Sequence, residues 1–324
     1  MSVQFHRGVV RAGSPPTVQA VTVSVVIPTR NRGALIHETL EKLTTVGDAA
    51  TEILVVDQST DGITAQTVRG LSAKDERVRL IPTSTVGSSN ARNVGWKAAA
   101  GDVVAYVDDD CIVEAGWLEA LTAEFFDPKV AAVFGRLTPY KKEERSGTEV
   151  GMKASEERAE YTAPVPPWWV GHGGNMAFRR ATLSAVGGFD PLLSAGGQLC
   201  AGEDTDLAHR LLKQGREIVY APRAIAYHKH WKDWPAQKRM ERAYGIGAGA
   251  QFAKYVRCGD SWGFRLFWAW MWQLGVRRMG AGFIKWRNPK VVYLGYCQLV
   301  YPWVGLLKSI RHPINRTHTV YLDG

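Results

Sequence analysis

The chain has 324 residues, 45% of them hydrophobic, which is enough to bury a substantial core and argues against intrinsic disorder. Its four cysteines form no CxxC pair and no cluster with histidine, so neither a disulfide framework nor a structural zinc site is expected. The net charge of +9 predicts an acidic partner, which can be nucleic acid, a phosphate-bearing small molecule or an anionic membrane surface.

Short apolar runs rich in β-branched residues alternate with segments of helical spacing over the first 140 residues. Apolar residues recur at helical intervals from Ala34 to Leu43, and Ser88 begins a polar run that can cap a helix ending at Ala100. Each strand is apolar throughout, which predicts a mostly parallel sheet with helices on both faces. The predicted strands are Val21 to Ile27, Glu52 to Val56, Val78 to Ile81, Val103 to Val107 and Val130 to Phe134.

Three consecutive carboxylates, Asp108 to Asp110, follow the strand that ends at Val107. Side chains alternate along a strand, so Asp108 and Asp110 are expected on one side and Asp109 on the other. Two such carboxylates suit Mg²⁺ or Mn²⁺ carrying phosphate oxygens. On charge repulsion alone, a solvated acidic turn is an equal alternative.

A second acidic cluster, Gly202 to Asp206, precedes a helical pattern. Its acids would lie near the positive end of the helix dipole, and a solvated helix N-terminus explains one or two of them equally well. A glycine-rich loop, Gly171 to Asn175, lies upstream, and His228 and His230 lie downstream. Together these groups suggest acid–base chemistry beside a metal.

Seven short motifs follow one another along the chain: Val25 to Arg32, Val55 to Asp57, Asn90 to Gly95, Asp108 to Asp110, Gly174 to Arg180, Val186 to Asp190 and Gly202 to Asp204. In this order, they resemble the family-2 glycosyltransferases of the GT-A fold, over about residues 21 to 230. The resemblance implies a Rossmann-like α/β nucleotide-diphospho-sugar transferase with a divalent metal and an inverting mechanism.

The resemblance also implies roles for individual residues. Asp204 would be the catalytic base, with Glu203 orienting the acceptor. Asp110 would hold Mn²⁺ or Mg²⁺ on the diphosphate, with His228 completing the metal site and His230 as a less favoured substitute. The donor pocket would include Pro28, Arg30, Asp57, Arg92, Asp108 and Asp109, and the acceptor would contact Gly174 and Asn175.

The end of the second strand departs from the family pattern, because Gln58 stands where an acidic residue frequently follows the first acid. Asp57 would hydrogen-bond the base of the donor, so the departure bears on which base is bound. A UDP-sugar is the favoured donor, with dTDP- and GDP-sugars left open.

From Lys229 to Arg316, lysine and arginine greatly outnumber the acidic residues and are interleaved with most of the tryptophans. Two apolar stretches, Phe264 to Trp272 and Val291 to Leu307, are too short or too interrupted for the roughly 20 residues that a spanning helix needs. They predict helices that lie on an anionic membrane surface, at the cytoplasmic side of the cell membrane. An enzyme held at that surface suggests a glycan or lipid-linked acceptor. A buried helical cap or a dimer face is the alternative.

These patterns divide the chain into a flexible arm over residues 1–20, a GT-A catalytic domain over residues 21–235 and a helical region over residues 236–324. Two other functions compete with the transferase. Gly245 to Ala250 fits the G-x-G-x-x-A pattern of nicotinamide-dependent oxidoreductases but follows no predicted strand, so helix packing is the preferred explanation. A basic, aromatic nucleic-acid binder would leave both acidic clusters without a role, so no nucleic-acid partner is expected.

Overall fold

A computed structural model describes residues 21–46, 49–140, 152–229 and 233–323. The predicted flexible arm and His230 lie outside the described residues. Within them, strands and helices alternate in the order expected from the sequence as far as residue 107. Beyond it, the strand predicted at Val130 to Phe134 is present, together with further strands that were not predicted.

The described strands are β1 Val23–Thr29, β2 Glu52–Asp57, β3 Val78–Pro82, β4 Val103–Val107, β5 Cys111–Val113, β6 Val130–Pro139, β7 Ala159–Tyr161, β8 Asn175–Arg179, β9 Glu217–His228, β10 Ile314–Asn315 and β11 Val320–Tyr321. Nine of them form one sheet, in the order β3-β2-β1-β4-β8-β6-β9-β5, with β7 pairing on β9. The first four strands in this order are parallel, as predicted, whereas β8 runs antiparallel to both of its neighbours. A separate two-stranded ribbon, β10 and β11, lies near the C-terminus.

Helices cover both faces of this sheet and continue beyond it. A π-helical segment, Met271–Val276, joins two helices of the C-terminal region. The helices are α1 Gly33–Val46, α2 Ile63–Ser72, α3 Ser88–Ala98, α4 Trp117–Thr122, α5 Arg180–Ala185, α6 Glu203–Lys213, α7 Trp234–Arg257, α8 Trp262–Trp270, α9 Arg277–Ile284 and α10 Pro289–Ser309.

Alternating side chains of the central strands supply two separate cores. Val25 and Ile27 of β1 face the core formed with α1, α2 and α4. Val26 of β1 faces the other core, formed with α3, α5 and α6, as does Tyr106 of β4. Burial on both faces explains why these strands are apolar throughout, and it confirms the predicted covering of the sheet.

The carboxyl ends of β1, β2 and β4 meet at one edge of the sheet. Thr29 lies beside Asp57 in the register of β1 and β2, and β4 ends at Val107 immediately before the three aspartates. Polar side chains from three strand ends therefore converge, as an open α/β sheet requires for a ligand site.

The C-terminal region packs on this body through glycines of α7. An added Cβ at Gly247 would meet the backbone of Ala201, just before α6, and one at Gly249 would meet the backbone of Pro302 in α10. Gly245 to Ala250 lies inside α7, with no preceding strand, so helix packing is confirmed as the role of this glycine pattern. Among the described helices, none is long and apolar enough to cross a bilayer.

The crossing of α7 and α10 generates a stability prediction. Gly249→Ala would force the two backbones apart, and we expect it to lower the free energy of unfolding by about 1–3 kcal/mol. Gly280→Ala in α9 is the matched control, because an added Cβ there meets nothing within 4 Å. Its better helix propensity should leave stability unchanged or raise it by up to about 1 kcal/mol. Urea denaturation measures both; equal responses would contradict the close crossing.

Candidate active site

A cavity of about 1050 Å³ opens at the converging strand ends. This volume is at the upper end of the range for a small-molecule site, so it has room for two ligands. One wall comes from the α/β body and the other from the C-terminal helices. The body contributes Pro28, Arg30, Gln58, Arg92, Asp108, Asp110, His172, Glu203, Asp204 and His228. The C-terminal helices contribute Glu241, Tyr244, Trp270, Leu274, Arg278 and Gln298.

The three aspartates after β4 occupy a turn, not an extended strand. The N–H of Cys111 donates to the carbonyl of Asp108 at 3.1 Å, which closes that turn. The predicted alternation therefore does not hold: Asp109 and Asp110 both face the Arg32 guanidinium, at 2.6 and 3.4 Å. Asp108 points instead to Arg92, at 2.9 Å.

Asp109 lines the cavity and also makes contacts within the protein. Its carboxylate accepts hydrogen bonds from the Thr29 hydroxyl at 2.7 Å and from Arg32 at 2.6 Å. Burial raises the pKa of Asp109 to about 6, although the Arg32 charge acts in the opposite direction. These contacts hold the loop after β1 against the acidic turn, and Asp109 lines the cavity together with Asp108 and Asp110.

Arg92 of α3 connects the two acidic clusters. It is 3% exposed, and its guanidinium donates to Asp108 and to Glu203. Burial opposes the charge of Arg92, but Asp108, Glu203 and Asp204 together raise its pKa. Burial likewise opposes ionisation of Asp108, and Arg92 is the main cause that holds its pKa below the usual value. Arg92 therefore keeps Asp108 ionised and fixes the positions of Asp108 and Glu203.

Asp110 and His228 are held together by the pairing of β5 with β9. Cys111 is the register partner of His228, and the Asp110 carboxylate lies 3.5 Å from the His228 Nε2 atom. Two ligand atoms at this separation can both coordinate one cation at a distance of about 2.1 Å.

Among the described residues, no group of three or more metal-binding side chains occurs. Asp110 and His228 nevertheless fit Mg²⁺ or Mn²⁺, because such ions keep few protein ligands when phosphate oxygens and water complete the shell.

Asp204 stands at the first turn of α6 with a partly exposed carboxylate. One of its oxygens accepts from the N–H of Gly173 at 2.7 Å, and the other accepts from the N–H of Thr205 at 2.8 Å. An added Cβ at Gly173 would lie 3.2 Å from Asp204 and 3.3 Å from Arg92, so the glycine allows this close approach. A carboxylate can accept about four hydrogen bonds, which leaves capacity for a ligand hydroxyl.

The predicted donor residues do not all reach the cavity. Pro28 and Arg30 line it, as does Gln58, whose amide donates to the carbonyl of Gly87 at 3.1 Å. Asp57 is buried behind this wall, and its carboxylate accepts from the N–H of Ser59 at 2.8 Å. At this strand end the cavity therefore presents Gln58, not Asp57.

The predicted acceptor residues also differ in position. Asn175 is fully buried in β8, where its amide donates to the carbonyls of Arg136 and Ala224 and accepts from the Trp117 indole at 2.8 Å. This side chain holds the sheet together, so the expected contact of Asn175 with an acceptor is wrong for this structure. Gly174 is buried close to Asp108, where an added Cβ would lie 3.1 Å from the carboxylate.

Several cavity residues were not predicted. Arg32 belongs to the first motif but carried no assigned role. Its position just after the first strand was a usable signal, because that strand end was expected near the acidic residues, and Arg32 contacts Asp109 in the structure. Glu241, Arg278 and Gln298 meet only in the folded chain: Glu241 accepts from each of the other two at 2.7 Å. Burial raises the pKa of Glu241 above its usual value. No local pattern relates these three residues.

Buried charges fix α6 against α7. The Lys254 ammonium lies 2.7 Å from Asp206 and 2.6 Å from Asp190, and Arg210 also pairs with Asp206 at 2.9 Å. Both partners of Lys254 are fully buried, and their charges are balanced inside the protein. The helix that carries Asp204 therefore takes its position partly from the C-terminal region.

An open α/β sheet with a carboxylate-lined cavity at its carboxyl edge defines a ligand-binding protein of the doubly wound class. The family described as Glycosyl transferase family 2 matches residues 24–187. The chain belongs to this family, which confirms the resemblance of the motifs. The match ends before α6, so it does not include Asp204 or His228.

Individual relatives agree with this assignment. A Pre-mycofactocin glycosyltransferase of Mycobacterium tuberculosis is 33% identical over 238 residues, which are 71% of this chain and 47% of that protein. The Probable glycosyltransferase YdaM of Bacillus subtilis is 25% identical over 67% of this chain and 53% of its own. The chain thus spans about half the length of these two relatives.

A solved structure shows the same fold. It is the mannosyltransferase PcManGT from Pyrobaculum calidifontis in complex with GDP-Man and Mn2+, with a TM-score of 0.57. The match covers 90% of this chain and 73% of that chain at 21% sequence identity. This likeness confirms the architecture predicted from the motifs.

Proposed function

We propose that the protein is an inverting glycosyltransferase that moves a sugar from a nucleotide-diphosphate donor to a hydroxyl group of a glycan or lipid-linked acceptor. The observation that carries this proposal is the placement of Asp204 and the acidic turn in one cavity, joined through Arg92. For the transfer to occur, the catalytic base and the carboxylates that lie beside the donor diphosphate must both be close to the same sugar.

The donor half of the cavity is the half lined by Pro28, Arg30 and Gln58. A UDP-sugar remains the favoured donor. The amide oxygen of Gln58 can accept a hydrogen bond from a base edge, while its amide nitrogen donates to Thr85 and to the carbonyl of Gly87. A GDP-sugar is the main alternative, since the structural relative named above contains GDP-Man. A dTDP-sugar stays open as well.

In the proposed reaction, Asp204 takes the proton of the acceptor hydroxyl as its oxygen attacks the anomeric carbon from the face opposite the diphosphate. The bond to the diphosphate breaks with its electron pair, so the configuration at the anomeric carbon inverts. The hydrogen bonds from Gly173 and Thr205 hold Asp204 in one orientation for this step. Glu203, held by Arg92 and by the Ser88 hydroxyl at 2.9 Å, lies beside it to orient the acceptor.

The leaving diphosphate accumulates negative charge. Asp110 and His228 are the residues that would hold a divalent cation here, and a bound Mn²⁺ or Mg²⁺ supplies charge neutralisation at the phosphate oxygens. The structural relative contains Mn²⁺, which supports this choice of ion. Asp108 would contact the ribose or the donor sugar.

Metal-dependent nucleotide binding tests the donor site. Calorimetric titration with UDP, dTDP and GDP should show binding that requires Mn²⁺ and that favours UDP. Asp110→Ala should reduce this binding at least about tenfold, because it removes one metal ligand. Asp61→Asn is the control, since Asp61 is an exposed carboxylate that does not line the cavity. Absence of binding to all three nucleotides would remove the basis of the proposal.

Asp204→Asn tests the base separately from the donor site. We expect nucleotide affinity to stay the same while turnover falls about 10²–10⁴-fold, the usual contribution of a positioned base. Turnover is measured as release of the nucleoside diphosphate from the donor, and affinity by the same calorimetry. Near-normal turnover in Asp204→Asn would assign the base to another residue.

The C-terminal helices present an exposed apolar face surrounded by arginine and lysine. Trp268 is 60% exposed and Ile284 is 82% exposed. We infer that this face docks on anionic headgroups at the cytoplasmic side of the cell membrane, with the cations on phosphates and the tryptophans at the boundary. The other exposed apolar residues include Phe264, Trp272, Phe283, Trp286, Trp303 and Leu307.

Replacement of two tryptophans tests the docking. The double variant Trp268→Ser with Trp272→Ser should weaken co-sedimentation with anionic liposomes at least about tenfold, because each buried aromatic contributes roughly 1.5–3 kcal/mol. Phe126→Ser is the control: Phe126 is 47% exposed but belongs to the α/β body. Failure of the wild-type protein to bind such liposomes at low salt would contradict the inference.

A further inference from the structure

One helical segment separates the cavity from the exposed apolar face. It runs from α8 through the π-helical turns into α9. Every fourth residue of this segment points to the same side. The wider π-helical turn keeps this spacing on one face across the junction. The cavity side carries Trp270, Leu274 and Arg278, and the outer side carries Trp268, Trp272 and Val276.

The cavity side of this segment ends in a cation. Arg278 donates to the Glu241 carboxylate at 2.7 Å, which uses one of the five N–H donors of a guanidinium. The Arg278 side chain is 18% exposed and lines the cavity. Arg239 of α7, which is exposed, also lines the cavity. Glu241 thus orients Arg278, while the guanidinium keeps donors for a ligand.

Next to this cation the wall is aromatic and rigid. Trp168 and Trp270 pack edge to face with ring centroids 5.1 Å apart. The Trp270 indole donates to Gln298 at 2.9 Å, and the Trp168 indole donates to Gln273 at 3.2 Å. Gln298 in turn donates to Glu241. Trp270 and Arg278 are therefore connected by one hydrogen-bonded chain through Gln298 and Glu241, and Trp168 packs against Trp270. These contacts fix their relative position before any ligand binds.

We propose that this wall is the acceptor subsite and that it selects amphiphilic anions, in which a phosphate or carboxylate group lies beside an apolar or aromatic body. Arg278 binds the anionic group through paired N–H donors, and Trp168, Trp270 and Leu274 contact the apolar body. The inference rests on the proposed function, because it places the acceptor across the cavity from the donor half and within the space shared with Asp204.

Calorimetry with octyl phosphate, kept below its micelle-forming concentration, tests the subsite. The protein is first saturated with Mn²⁺ and the nucleoside diphosphate that it binds, so that the probe cannot occupy the donor phosphate site. Octyl phosphate should bind, whereas neutral octyl glucoside and inorganic phosphate should each bind at least about tenfold more weakly, since each lacks one of the two contacts. Equal binding of octyl phosphate and octyl glucoside would overturn the role of the anion, and equal binding of octyl phosphate and inorganic phosphate would overturn that of the apolar wall.

Variants of Arg278 identify the residue responsible. Arg278→Gln should weaken octyl phosphate binding about 10- to 100-fold, the equivalent of one charge-assisted hydrogen bond, and should leave nucleotide affinity unchanged. The affinity of Arg278→Lys for octyl phosphate should lie between those of the wild type and Arg278→Gln, because lysine keeps the charge but loses the paired N–H donors. Arg265→Gln on the same helical segment is the matched control: Arg265 is exposed and does not line the cavity.

Loss of Arg278 leaves Glu241 buried beside no cation, which destabilises the fold by itself. The double variant Glu241→Gln with Arg278→Gln removes both charges and should show the same loss of octyl phosphate binding in a stable protein. Unchanged binding in this variant, or an equal loss in Arg265→Gln, would overturn the assignment to Arg278. Intact nucleotide binding without any octyl phosphate binding contradicts the acceptor inference alone, whereas absent nucleotide binding contradicts the proposed function.

Discussion

A guanidinium buried between two carboxylates holds the cavity together. Arg92 comes from α3, Asp108 from the turn after β4, and Glu203 from the start of α6, so one side chain joins three elements distant in sequence. Breaking a buried charge pair on one side costs about 3–5 kcal/mol, because the remaining charge stays out of water. The two acidic clusters can therefore face one cavity only while Arg92 lies between them, and both donor and acceptor geometry depend on it.

The C-terminal helices belong to the active-site cavity as well as to the surface. Lys254 of α7 and Arg210 together balance the charges of Asp206 and Asp190 in the interior, and the contact of Lys254 with Asp206 fixes α6 against α7. Glycines in α7 let it cross close to α10, which brings Arg278 and Gln298 to the cavity wall. The same helices expose the apolar face on their outer side, so the proposed membrane docking and the proposed acceptor subsite share one structural unit.

Patterns of short range explain what could be predicted. The strands β1 to β4 were recognised because a run of apolar, β-branched residues is a pattern of adjacent residues. Their observed bounds differ from the predicted ones by two residues or fewer at either end. Predictions failed where the chain changes direction. The aspartates form a turn, so the alternation expected for Asp108 to Asp110 does not apply. Asn175 was expected at the acceptor, but its position in β8 turns the amide into the sheet.

The sequence by itself determined the α/β class, the family and the presence of two acidic clusters at loop positions, because periodicity, strand composition and motif order are properties of neighbouring residues. The tertiary structure decided which side chains meet. The contacts of Arg92 with Glu203, of Lys254 with Asp206 and of Arg278 with Glu241 join residues 37 to 111 positions apart. Such pairs arise only when helices pack, since no local preference specifies a partner so distant in the chain.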